Sequence, residues 1–477
     1  MKNKKLLISL TAVFSVFVVI AVFLMIWFWG DRYGDFRYLK NEFAIPDLKS
    51  GGSPQGLANY YNGEYEVKTE VTAADGTATE KIEKKNQNFF FISSYMPKIN
   101  GEKQASRVYV VGQETGYIGF VTLKNMDGTP HTGHVGGIAI NHDYMWISSQ
   151  LEEKDENGKI TETGTVFVAK ASGIKPEGSS ASIPFISEII KKAQASNEPN
   201  ADNSITFSSS FNAQGNASFL YYYDADMGAS QSASYADRLY VGEFYRKGDR
   251  YGTLDTHKIT TPESKHVITE RKSGGDKNTA FAYEYNVNAS TYSDNPFGLY
   301  TISSTDAENY GTKSGQPMPQ IQKIFSLPNE VQGFARTTNG KLVLSVSYGL
   351  KNSKLYYYDW DKLADTNYNT TPSKLYNELV TDENGQKKNY EYEDFYREYG
   401  NGKTLPYQAS SLRVYFVDST SLLRTYDIPC MSEGLCVMKE RGEERVYVLF
   451  ESGARQYRKF VRQILTDVYS FIPERKR

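Results

Sequence analysis

The side chains suited to chemistry are few. His131-Thr132-Gly133-His134 places two imidazoles close enough to share a metal, with His257 or Glu433 to complete the shell. No second dense cluster of His, Cys or Asp accompanies them, so a hydrogen-bonding pair of loop histidines is the plainer reading. Glu243 and Glu451 close comparable apolar segments. Two carboxyls facing one cavity about 5–9 Å apart can act as acid and base. Their plainer role is to brace backbone, and Ser93, Ser148 and Ser347 at similar positions support it. Cys430 and Cys436, with five residues between them, either close a small disulfide in an oxidising compartment or stay as part-buried thiols. They lack the partners of a zinc or redox site. No Gly-x-Ser-x-Gly elbow, phosphate-binding loop or dinucleotide fingerprint occurs in a suitable context.

These residues sit within a repeat. A polar or small residue, then Gly or Ser, then two apolar or small residues recurs as Gln55-Gly56-Leu57-Ala58, Gly136-Gly137-Ile138-Ala139, Ala217-Ser218-Phe219-Leu220, Gln332-Gly333-Phe334-Ala335 and Glu433-Gly434-Leu435-Cys436. The starts are 81, 81, 115 and 101 residues apart. A second strand follows each copy, beginning apolar and ending in Ser, Gly or Glu: Phe90–Tyr95, Met145–Ser149, Leu239–Phe244, Leu342–Tyr348 and Val446–Ser452. Third strands follow several, at Arg107–Val111, Thr165–Val168 and Lys354–Tyr358. Lys323–Pro328 precedes Gln332, and Arg424–Pro429 precedes Glu433 at the same spacing; Asn41–Pro46 stands likewise before Gln55.

An outer strand at the start and inner strands at the end pair naturally if sheets are arrayed radially and the ring closes on itself. The expected fold is therefore all-β, a five-bladed β-propeller over residues 31–477. A sixth blade is the alternative, because Ala280–Ser304 is strand-rich. Insertions near 173–203 and 361–405 project from blades, the first holding a helix near Pro184–Ala195. Tyr221–Tyr223 and Tyr356–Tyr358 serve mainly in packing, with any exposed ring free to meet a sugar or a protein.

The strand heads place Gln55, His131, His134, Gln332 and Glu433 at the channel mouth. Pro54–Ala58, His134–Ile138, Leu239–Tyr245 and Phe450–Ala454 resemble segments of secreted bacterial propellers of unassigned function, and more distantly the gluconolactonase-like, calcium-dependent phosphotriesterase and strictosidine-synthase-like propellers. That resemblance implies a central calcium held by acidic and amide groups at the strand heads. Of these heads only Glu433 is a strong anionic ligand, with carbonyl oxygens from Gln55 and Gln332, whereas calcium takes six to eight oxygens. Glu433 and His134 are the metal candidates.

Leu6–Trp29 is apolar, broken only by Ser9, Thr11 and Ser15. As a helix it rises about 36 Å, enough to cross a bilayer core of about 30 Å. Lys2, Lys4 and Lys5 before it set the N-terminus in the cytoplasm. The run is too long for a signal peptide and ends in Trp27-Phe28-Trp29, a poor cleavage site. Residues 1–30 are thus expected to be a cytoplasmic tail and uncleaved anchor in the cell membrane, with the propeller outside. A net charge of −2 gives no nucleic-acid surface. The expected function is binding of a protein or carbohydrate ligand. The alternatives are hydrolysis of a lactone, ester or glycan at a central metal site, and a scaffold of the envelope.

Overall fold

The structure, a computed structural model, describes residues 18–21, 35–72, 78–154, 160–171, 184–212, 217–229, 234–244, 272–273, 276–288, 295–302, 318–364 and 413–473. Five antiparallel sheets form five blades. Blade one is β2 (Ser53–Thr72), β3 (Ala78–Tyr95), β4 (Arg107–Gly112) and β5 (Gly116–Lys124). Blade two is β6 (Val135–Ile140), β7 (Tyr144–Lys154), β8 (Ile160–Lys170) and β10 (Ser209–Asn212). Blade three is β11 (Ala217–Tyr223), β12 (Arg238–Glu243), β14 (Asp276–Asn286) and β17 (Ile321–Pro328). Around it lie three two-residue strands: β13 (Lys272–Ser273) on β14, and β15 (Thr301–Ile302) paired with β16 (Met318–Pro319). Blade four is β18 (Val331–Arg336), β19 (Lys341–Val346), β20 (Ser353–Asp359) and β22 (Leu422–Ile428). Blade five is β23 (Ser432–Glu440), β24 (Glu443–Phe450), β25 (Asp467–Phe471) and, from the other end of the chain, β1 (Lys40–Ala44). The strand-rich stretch from Ala280 supplies the third strand of blade three, not a sixth blade.

Ring closure follows the expected route: Lys40 pairs with Ser470 and Ala44 with Asp467. The segment around β1 also grips its neighbours. Asp35 accepts from the Asp427 amide (3.1 Å) and Arg424 Nη2 (3.4 Å) of blade four. Asp47 accepts from Arg107 Nη1 (2.9 Å) and the Tyr109 hydroxyl (2.6 Å) of blade one. One short strap therefore touches three blades.

The repeated Gly or Ser has a steric cause. A Cβ on Gly56 would lie 2.5 Å from Ile138 N and 2.8 Å from Gly136 O, and one on Gly434 would lie 2.5 Å from Leu57 N. At these glycines the inner strands of adjacent blades thus meet backbone to backbone, an approach that a Cβ there would block. The second-strand serines seal the same seam. Ser93 Oγ accepts from Gly56 N (3.0 Å) and donates to Gly136 O of blade two (2.6 Å). Ser148 Oγ donates to Ser218 O of blade three (3.2 Å). In blade four it is Ser345, not Ser347, that crosses, reaching Ser432 Oγ at 2.7 Å; Ser347 accepts from Ser353.

The helix α1 (Phe185–Ala195) does not project. It buries Phe185, Ile186, Ile189, Ile190 and Ala193, spaced on one face, in the apolar core of blades one and two. The chain then lays β9 (Ser204–Thr206) parallel to β5 as a fifth strand of blade one before returning to complete blade two. Blade four repeats the device: β21 (Arg413–Phe416) runs parallel to β17 of blade three before β22 completes blade four. Of the second insertion, residues 365–405 lie outside the described residues. The Tyr runs are mainly packing: Tyr221, Tyr223 and Tyr356–Tyr358 are buried.

Most of the apolar run Leu6–Trp29 likewise lies outside the described residues. Within it, Val18–Ala21 are helical and exposed. Among the described residues, no helix is long and apolar enough to cross a membrane.

Candidate functional site at the strand-head mouth

All five inner strands begin, and all five second strands end, at one mouth of the channel. At the seam between blades five and one, the loop after β24 carries Glu451. Its carboxylate accepts from Gln55 Nε2 at 2.9 Å and from the Tyr95 hydroxyl at 3.3 Å. Tyr95 and Tyr457 share a hydrogen bond between hydroxyls at 3.2 Å. Gln55 Oε1 faces His134 Nε2 at 3.3 Å, and the exposed His134 ring packs on Tyr95 with centroids 4.2 Å apart. An imidazole at the surface is thus linked through an amide to a buried carboxyl.

Glu433 and Glu451 are electrostatic neighbours, both buried. Burial, then the charge of Glu451, pushes the Glu433 carboxyl well above the usual carboxylate range. Burial also raises Glu451, to about 7; donors from Tyr457, Tyr95, Gln55 and Ser53 limit the rise. Burial thus favours the protonated form of both carboxyls, and Glu451 exchanges its proton near neutral pH. Burial raises the Tyr95 phenol, and raises Tyr457 to about 12, so both remain donors.

Of the residues expected at this mouth, Gln55, His134 and Glu433 converge, with Glu451 rather than Glu243 as the carboxylate beside Glu433. Glu243 is buried in blade three and accepts from the Tyr283 hydroxyl at 2.9 Å. His131 is not part of the group. It is 4% exposed, its Nδ1 meets Asn125 Oδ1 at 2.7 Å and its Nε2 meets Ser149 Oγ at 3.1 Å. Burial lowers it to about 4, so it is a neutral core histidine packed on Phe167 and Phe207, with no nitrogen left to share a metal with His134. Gln332 lies between blades three and four, where its Oε1 accepts from Ser218 Oγ at 3.5 Å.

Cys430 and Cys436 are buried free thiols, so the small disulfide is not formed. Cys436 lies within β23, opposite Tyr447, among Leu57, Ile92 and Leu449. His257 lies outside the described residues. Among the described residues, no group of three or more His, Cys, Asp or Glu could hold a metal ion. Gln55 turns its nitrogen, not its oxygen, toward Glu451, the arrangement of a hydrogen-bonded pair rather than of two ligands to calcium.

A concavity that the motifs did not signal lies at the opposite mouth, where the inner strands end. It encloses about 610 Å³, including solvent at its opening, and its lining includes Tyr60, Asn141, Tyr222, Asp224 and Met227.

Fold and mouth together define the class: a closed five-bladed β-propeller with a polar cluster at its closing seam. No protein-family model and no curated protein matches the chain. Among solved structures it is similar to the PQQ-bound form of an aldose sugar dehydrogenase from Streptomyces coelicolor, at 12% identity over 90% of this chain and 96% of that one, with a TM-score of 0.32. A protein from Lactobacillus plantarum is similar at 11% identity over 65% of this chain and 93% of that one, with a TM-score of 0.18. Likeness at this level carries nothing about chemistry.

Proposed function

We propose that this protein is a membrane-anchored, extracytoplasmic propeller that binds a neutral ligand bearing hydroxyl or amide groups, carbohydrate or protein, at its strand-head mouth. The observation that supports it is the set Glu451–Gln55–Tyr95–His134, in which an exposed imidazole lies on a half-buried phenol with an amide and a buried carboxyl behind them. The anchor reading rests on the apolar run Leu6–Trp29. Because the fold grips the chain from Asp35 onward, only residues 30–34 would separate propeller from bilayer.

One observation favours a second reading, hydrolysis of a lactone, ester or glycan: Glu451, raised to about 7 beside the buried Glu433, suits proton transfer at neutral pH. A thermal-shift screen of neutral oligosaccharides and peptides, with mass spectrometry of the recovered ligand, separates the two. Recovery of unchanged ligand, with the shift lost in Tyr95→Ala, supports binding. Conversion that disappears in Glu451→Gln supports hydrolysis. Shifts that persist in both variants would place the ligand elsewhere and sink both readings.

A further inference from the structure

The strand-tail mouth holds a second constellation that shares no residue with the first. Asn141, in the turn after β6, is 5% exposed. Its Oδ1 accepts from the backbone amides of Asp143 (3.0 Å) and Tyr144 (2.8 Å), which fixes the orientation of the amide. Its Nδ2 is aimed at the Tyr222 hydroxyl in the wall of the cavity without reaching hydrogen-bond geometry, and it has no other partner among the described residues. An orphaned buried donor is costly, and a ligand oxygen would satisfy it.

Across the same cavity stands Asp224, just past β11. It accepts from the backbone amides of Asp226 (3.0 Å) and Gly228 (2.7 Å). Asp237 beside it is already engaged by the Tyr222 hydroxyl (2.7 Å) and by the Ala225 (2.9 Å) and Ser234 (2.7 Å) amides. Burial, then the charge of Asp237, raises Asp224 to about 6, the signature of a carboxylate short of positive charge. Other groups facing it are Asp226 and the phenols of Tyr60, Tyr61 and Tyr222. His142 also lines the cavity, its Nδ1 directed to Asp143 at 2.9 Å, and among the described residues no Lys or Arg lines it.

Negative charge, tyrosine rings and one orphaned donor together select a ligand that is cationic, has a face to lay on aromatic rings, and carries an oxygen. We propose that the strand-tail mouth binds a primary amine with a neighbouring hydroxyl, of the amino-sugar or amino-alcohol class. The ammonium lies against Asp224 and the tyrosine rings, and the hydroxyl oxygen accepts from Asn141 Nδ2. A neutral sugar would satisfy Asn141 but leave Asp224 uncompensated, so charge is the discriminating property.

The test is calorimetric titration of the intact protein with glucosamine, using glucose and N-acetylglucosamine as neutral counterparts. At pH 7, glucosamine is expected to bind at least about ten-fold more tightly than either, since compensating one buried carboxylate is worth about one pKa unit or more. Asp224→Asn should reduce it to the level of glucose. If that variant does not fold, the wild-type pH series decides: glucosamine affinity should fall about ten-fold from pH 7 to pH 5 as Asp224 takes up its proton, while glucose affinity stays flat. Equal affinity for the three probes, no detectable glucosamine binding, or a pH-independent affinity would overturn the proposal. None of these outcomes bears on the strand-head mouth.

Discussion

Replacing Glu451 by Gln should make the protein more stable at pH 8 than the wild type, relative to the same comparison at pH 4.5. Glu451 is 7% exposed and its carboxyl is raised from 4.5 to about 7, chiefly by burial. Below pH 4.5 folded and unfolded chains both hold the proton, and the group makes no difference. As pH rises, the unfolded chain releases its proton first, so stability is lost up to about pH 7 and is constant above it. The loss is on the order of 3 kcal/mol, taking about 1.4 kcal/mol per unit. Glutamine has no such titration and can still accept from Tyr95 and Gln55. The fixed cost of exchanging those bonds is the same at both pH values and cancels in the comparison, as does the titration of His131. Removing the charge also eases ionisation of Glu433, which works in the same direction. Urea unfolding of both proteins across pH 4.5–8 measures the effect. A stability difference that does not change with pH would refute the burial argument and with it the acid–base reading of this site.

His131 titrates with the opposite sign: lowered to about 4, it costs the fold stability as pH falls from 6.5 to 4, by on the order of 3 kcal/mol, and His131→Gln should remove that slope in acid unfolding curves. Gly434→Ala forces a Cβ to 2.5 Å from Leu57 N, backbone that cannot turn aside, and should lower stability by at least about 1–3 kcal/mol in chemical unfolding. Deleting residues 41–46 removes all of β1 but Lys40, exposes the edge of β25 and should abolish cooperative unfolding of the whole ring, as followed by near-ultraviolet circular dichroism.

Much of this architecture was legible because the inner strands carry a steric signature. Gly56, Gly137, Gly333 and Gly434 recur because neighbouring inner strands touch there; in blade three the ladder register puts Phe219 at that place, its ring lying over Gly242. The outer strands of blades three, four and five were legible from their apolar run and terminal proline; β5 and β10, which lack that proline, were not. The fifth strands were not: Ser204-Ile205-Thr206 and Arg413–Phe416 are too short to show an alternation, and each is created by a parallel neighbour from a different blade. β25 was missed for the same reason, five residues lying beyond a long turn. At the site, Glu433 and Glu451 were each visible as strand-end acids, but their pairing is a property of the closed ring. The strand-tail cavity gave no motif at all. Tyr60 lies midway along β2, Asn141 just past β6 and Asp224 just past β11, and only the circular arrangement of the blades makes them neighbours.

The strap from Asp35 to Asp47 has a mechanical consequence. A molecule held by its N-terminus transmits any tension to the point where the chain is first gripped. Here that point is not a peripheral loop but Asp35 against blade four, followed by β1 in blade five and Asp47 against blade one. Load is shared among three of the five blades before any strand bears it alone. If that grip fails, the next bonds to part are those of β1 with β25, the ones that hold the ring shut. A tug strong enough to free the tether would therefore open the propeller at the seam where Glu451 meets Gln55, so the integrity of the strand-head site is bound to the tension on the chain that leads into it.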